Sequence, residues 1–206
     1  MRSITRRQTP DVRNGRVQKK NNHAPHLGDY YRTTQKEVLL VRERPGEGYR
    51  HLLTVEDLRV FLTLIPNWDE ISVGLDAVVL TAGEWGFDGW HRPGIVAVCA
   101  WERELWTETT PAHVEEHREI LDRLGVPREL FTDKKGERWV RCQWTVETAR
   151  AYQLLHILLH ELGHHYDRMT TRRKLRTGRG EPFAESYALE WEAIIWDRFW
   201  RHFRIG

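Results

Sequence analysis

The chain is poor in the groups that stabilise or anchor many small proteins. It has two cysteines, Cys99 and Cys142, with no CxxC spacing between them. A disulfide framework is therefore not expected, and a thiolate metal or redox centre has no local signature. No stretch approaches the roughly 18 consecutive apolar residues of a membrane span. The N-terminus carries charges but no apolar core of a secretory signal, so the expected location is the cytoplasm, with no membrane partner. Net charge is only +2, too small for the whole chain to be a nucleic-acid binder by electrostatics alone.

What is present is an ordinary globular composition, 40% hydrophobic and 30% charged over 206 residues, enough for one domain with a real core. Ten tryptophans point to an aromatic interior. Residues 1–28 stand apart. The run MRSITRRQTPDVRNGRVQKKNN holds seven Arg or Lys against one acidic residue, Asp11, with almost no large apolar group. Such a segment buries too little surface to offset its ordering entropy. It reads as a basic disordered tail, available to an acidic partner or nucleic acid, ahead of a domain over 29–206.

Within the domain, KEVLLVRE (36–43), LDAVVLTAG (75–83) and GIVAVCAW (94–101) read as strands, the last two separated by the loop EWGFDGWHRPG. Thr54 to Asp57 has capping-box form and starts a helix to about Ile65. A helix is expected over 111–124 and a hairpin around Asp133–Gly136. Thr145 then caps a long helix to about Met169. The basic loop TTRRKLRTGRG leads to a last helix opened by Gly180-Glu-Pro182 and running to about Phe203. Strands and short helices followed by two long helices make an α+β domain.

The most informative segment is LLHILLHELGHHYDRM (154–169). At about 100° per residue, His156, His160, His164 and Asp167 share one face, opposite Ala151, Leu155, Leu158, Leu162 and Met169. Histidines at i and i+4 can hold one metal ion through their imidazoles. Glu161 lies too far round the same turn to be a third ligand but within reach of a metal-bound water. His160-Glu161-Leu162-Gly163-His164 is thus the HExxH arrangement, with the glutamate as general base and zinc as the expected cofactor. Gly163 supports this reading, since a mid-helix glycine costs about 1 kcal/mol against alanine unless the backbone must approach something closely. A catalytic zinc site needs a third protein ligand. Glu185 is the favoured one: it sits among Ala188, Trp196, Phe199 and Phe203 on the last helix, where a carboxylate needs a partner or a metal. Glu192 is the rival two turns on, and Glu181, near the helix start, is the weaker one.

Through HELGHH (160–165) and FAESYA (183–188), the chain resembles the zincin metallopeptidases of the gluzincin type, and is similar to small cytosolic zincin-like proteins of the ImmA/IrrE type. The resemblance implies a small twisted sheet packed on the HExxH helix, followed by a long C-terminal helix carrying the third ligand. It implies zinc held by His160, His164 and Glu185, Glu161 as base, and a peptide or protein substrate held along an edge strand, for which GIVAVCAW or LDAVVLTA would serve. Two departures stand out. The aspartate that orients a zinc histidine in that group is replaced by Leu189, which leaves Asp167 for the orienting role. No transition-state-stabilising residue is marked by motif, and His165, Tyr166 and Tyr187 are the candidates. The contrasting reading is a non-catalytic zincin-fold binding module, docking an acidic partner through the basic tail and the loop Arg172–Arg179.

Overall fold

The computed structural model describes Tyr30 and residues 34–203, apart from Trp85 and residues 172–177, together with the backbone of Val12–Arg13 and Arg16–Val17. The expected basic tail therefore lies outside the described residues, except that β1 (Val12–Arg13) and β2 (Arg16–Val17) pair antiparallel. The basic loop is likewise outside them over 172–177.

The central sheet has the order β3-β5-β7-β6, from β3 (Leu39–Arg42), β5 (Ala77–Thr81), β6 (Gly89–Arg92) and β7 (Ile95–Cys99). The two-residue strand β4 (Tyr49–Arg50) pairs outside it with β8 (Trp101–Glu102). β3, β5 and β7 run parallel, and β6 runs antiparallel to β7. The connection from β3 to β5 passes through α1 (Val55–Leu64) and the short α2 (Trp68–Ile71). The capping box of α1 forms as expected: Thr54 accepts from the Asp57 N–H, and Asp57 accepts from the Thr54 N–H. Every residue of β5 and β7 is buried, which is why both read as continuous apolar runs rather than alternating ones. Val78, Leu80, Val96 and Val98 face the main core under the helices, while Ala77, Val79, Ile95 and Ala97 face a smaller cluster with Tyr30.

The strand β6 falls inside the segment expected to be a loop. Pro93-Gly94 supplies its tight turn into β7, with Gly94 at φ +79. Neither GIVAVCAW nor LDAVVLTA is an edge strand, because β5 lies between β3 and β7, and β7 between β5 and β6. The sheet ends at β6, and β6 packs on the histidine helix together with β7.

A second sheet, β10-β11-β9, is built from β9 (Trp106–Thr109), β10 (Arg128–Thr132) and β11 (Arg138–Gln143), with the expected hairpin turn at Asp133–Gly136. Between β9 and β10 the expected single helix is two, α3 (Pro111–Glu116) and α4 (Arg118–Arg123), meeting at His117. The chain then enters α5 (Val146–Tyr152), a π-helical turn (Gln153–Leu158), α6 (Leu159–Thr170) and, after the basic loop, the long α7 (Glu181–His202). The mixed architecture, with small sheets and a long C-terminal helix, is the organisation expected from the sequence. Among the described residues, no helix is long and apolar enough to cross a membrane.

Candidate metal centre

The helix begins where Thr145 accepts from the Thr148 N–H. It runs without a break in hydrogen bonding to Thr170, but the π turn changes its phase just before the HExxH segment. The helix has no solvated histidine face. His156 and His165 are 1% and 0% exposed, alongside the equally buried Leu155, Leu158 and Leu162. The face opposite the leucines is covered by β6 on one side and α7 on the other. Gly163 explains the close fit to α7: a Cβ there would stand 2.9 Å from Ala184 Cα and 3.1 Å from Tyr187 Cβ.

At the centre of this face three ligand atoms converge. His160 Nε2 and His164 Nε2 are 3.1 Å apart, and Glu181 Oε2 lies 3.1 Å from the first and 3.3 Å from the second. Two imidazoles cannot both donate into one such contact without one of them offering a lone pair. A tetrahedral zinc with bonds of about 2.0–2.1 Å has ligand atoms about 3.3 Å apart. The triangle therefore has the size of one face of such a site, and the donor set of two nitrogens and one oxygen suits zinc. The carboxylate comes from Glu181, the first residue of α7, rather than from Glu185. Glu185 occupies the other side of the His160 ring, with Oε2 3.3 Å from Nδ1. A carboxylate on the remote nitrogen fixes the tautomer and aim of a ligating histidine, which is the role the sequence had suggested for Asp167.

The electrostatics follow from these contacts. Burial alone would lower the His160 pKa, but the hydrogen bond it donates to Glu185 and the carboxylates of Glu161, Glu185 and Glu181 raise it. His164 is lowered by burial and by the neighbouring His160. Burial would raise Glu185, yet His160 and the nearby imidazoles hold it low and ionised. Glu161 points towards the sheet. Its Oε1 is only 2.9 Å from the place a Cβ on Gly89 would occupy, so the missing side chain in β6 is what makes room for the carboxylate. Burial pushes Glu161 up to about 7, in the range suited to proton transfer near neutrality.

Other sequence candidates stand elsewhere. Asp167 is fully buried and accepts from the Arg179 N–H at 2.7 Å, Arg179 Nε at 2.8 Å and the Gly180 N–H at 3.1 Å. Burial would raise its pKa, but these bonds hold it down. It pins the entry to α7 and makes no hydrogen bond to His164. The same contacts hold Arg179, at the end of the basic loop, against Asp167 while its side chain stays 45% exposed. His165 donates from Nε2 to the Val73 carbonyl at 3.1 Å, leaving Nδ1 to face Arg168, and burial lowers its pKa to about 4. Tyr187 lies in a ladder of rings with Tyr166, Phe183 and Trp191 at the α6–α7 contact, and burial pushes its phenol upward. Glu192 is wholly buried but pairs with Arg123 of α4 at 2.7 Å, remote from the histidine pair.

No protein family, curated protein or solved structure matches the chain. Weight therefore rests on the residues themselves. Three of those facing the centre had not been singled out: Gly89 and His91 of β6, and His117 at the α3–α4 junction. His91 packs its ring 6.0 Å from that of His164 and 6.3 Å from that of His165. The Pro93-Gly94 turn before an apolar run was the available signal that GWHR is the first arm of a hairpin.

Proposed function

We propose that the chain is a zinc-dependent hydrolase acting on peptide bonds, with the metal held by His160, His164 and Glu181. The observation that carries this is the triangle of Nε2, Nε2 and Oε2 atoms at 3.1–3.3 Å, set one residue from a buried glutamate. Bound zinc would supply Lewis acidity and lower the pKa of a water ligand towards neutrality. The protein's part is positional and protolytic. Glu185 holds His160 by its Nδ1, so that Nε2 carries the lone pair. Glu161, ionised above about pH 7 in the metal-free chain, accepts the proton of the attacking water at a carboxylate oxygen and returns it to the leaving amine. Strand β6, the free edge beside this site, offers its backbone to an extended peptide, and Gly89 keeps that edge open to the Glu161 carboxylate. Peptide as the substrate class comes from the zincin resemblance.

The test is zinc content and hydrolysis measured on the same preparations. Protein purified without chelator should carry zinc through this site, and Glu181→Ala should strip it. Glu161→Gln should retain the metal and the fold while cutting turnover of a peptide library, followed by the appearance of new termini, by at least about 100-fold. Zinc-holding unaltered protein that releases no new termini would overturn the enzyme reading in favour of a binding module, and unaltered hydrolysis by Glu161→Gln would overturn Glu161 as the base.

A further inference from the structure

A second group of ligand-type side chains lies on the far side of Glu185. His117 from the α3–α4 junction, His156 from the π turn and Glu185 from α7 each bring one such atom within 4.8 Å of the others. Their individual states are more telling than their proximity. His156 is 1% exposed, yet its Nδ1 has no hydrogen-bond partner, and its Nε2 is 3.6 Å from Glu185 Oε2, beyond hydrogen-bond reach. Its ring is held in place by stacking on Tyr152 at 5.2 Å and by the edge of His117 at 4.7 Å. His117 Nδ1 lies 2.8 Å from the His113 carbonyl. A carbonyl only accepts, so Nδ1 carries the proton and Nε2 is left with a lone pair. This is the arrangement that prepares a histidine for a metal. Glu185 Oε2 is used by His160, but Oε1 is buried and has no partner. A buried imidazole and half of a buried carboxylate, both without partners, are costly unless something is shared between them.

We propose that His117, His156 and Glu185 form a second divalent-metal site, adjacent to the HExxH triangle and linked to it through Glu185. Two imidazoles and a carboxylate, with no thiolate, select a first-row transition ion such as zinc. The ion would tie the α3–α4 junction to the π turn and α7. Glu185 would then serve both centres, ligating here while orienting His160 there.

Zinc retained after buffer exchange by the full chain, counted by elemental analysis, tests this. The unaltered protein should hold two equivalents, His117→Gln one, His164→Gln one, and the double variant none. His117 is only half-buried at a helix junction, so His117→Gln should fold, with an unchanged far-ultraviolet spectrum. A core substitution at His156 is avoided for that reason. One equivalent in the unaltered protein that His117→Gln leaves in place would overturn the second site, as would two equivalents retained by His117→Gln. If the unaltered protein and His164→Gln each hold one equivalent and His117→Gln holds none, the second site stands and the HExxH assignment fails.

Discussion

A carboxylate's position along a helix is easily read from sequence, but what it touches is not. Glu181, Glu185 and Glu192 all sit on α7, and periodicity singled out Glu185 because apolar residues surround it. The structure puts Glu185 against His160 and His156, Glu181 at the ring nitrogens of His160 and His164, and Glu192 against Arg123. The wheel places residues around an axis, whereas the partner depends on how far along α7 the helix meets α6. Asp167 shows the same limit. It lies on the histidine face in projection, yet its oxygens turn towards Arg179 and Gly180. Replacing Asp167 with alanine strands the backbone N–H groups of Arg179 and Gly180 and leaves the exposed Arg179 guanidinium to solvent. We expect a loss of about 1–3 kcal/mol in denaturant unfolding, with zinc binding weakened only as far as the entry to α7, and Glu181 with it, loosens. Loss of zinc without loss of stability would instead make Asp167 the residue that orients His164.

Elements were more legible than partners. The capping boxes at Thr54 and Thr145 and the turn at Asp133–Gly136 act through a few neighbouring residues, so the sequence shows them directly. The π turn at Gln153–Leu158 was not foreseen, because no residue type marks it and a uniform 100° step assumes it away. Strand β6 was missed because it is four residues long and half-buried, too short to display an alternation. Gly163, in contrast, was read correctly as a point of close approach, and it is where α6 and α7 meet. Gly163→Ala gains about 1 kcal/mol of helix propensity but places a methyl 2.9 Å from Ala184 Cα, which is backbone and cannot step aside. We expect net destabilisation of about 1–3 kcal/mol. Zinc affinity should also weaken, because moving α7 carries Glu181 away from the histidine pair. A stabilised variant with unchanged zinc affinity would show that the helices separate freely.

For the whole molecule, the mixed architecture was visible in the order of apolar runs, since continuous runs such as AVVLT and IVAVC announce strands buried on both faces. The strand order was not, because β7 inserts between β5 and the edge, and no local signal reports that. The assembled fold also gathers imidazoles in a row, from His113 and His117 through His156, His160 and His164 to His91 and His165. This row makes folding a proton-linked equilibrium. Burial lowers His91 and His156 to about 3, and His113 and His165 to about 4, from an ordinary value of 6.5. As pH falls from 6.5 towards 4, the unfolded chain takes up protons at these four sites that the folded chain refuses, so their contribution to stability is progressively lost. Glu161 and Glu192, both raised to about 7, act in the opposite sense, favouring the folded state in acid and losing that advantage as pH rises from 4.5 to 7. Among the largest shifts the four histidines outnumber the two carboxylates, and the metal-free protein should take up protons on unfolding between pH 4.5 and 6.5. Denaturant unfolding across that range should show stability climbing with pH, and a flat or falling profile would contradict it. The same crowding of neutral imidazoles on which the proposed metal sites rest would thus set the acid limit of the fold.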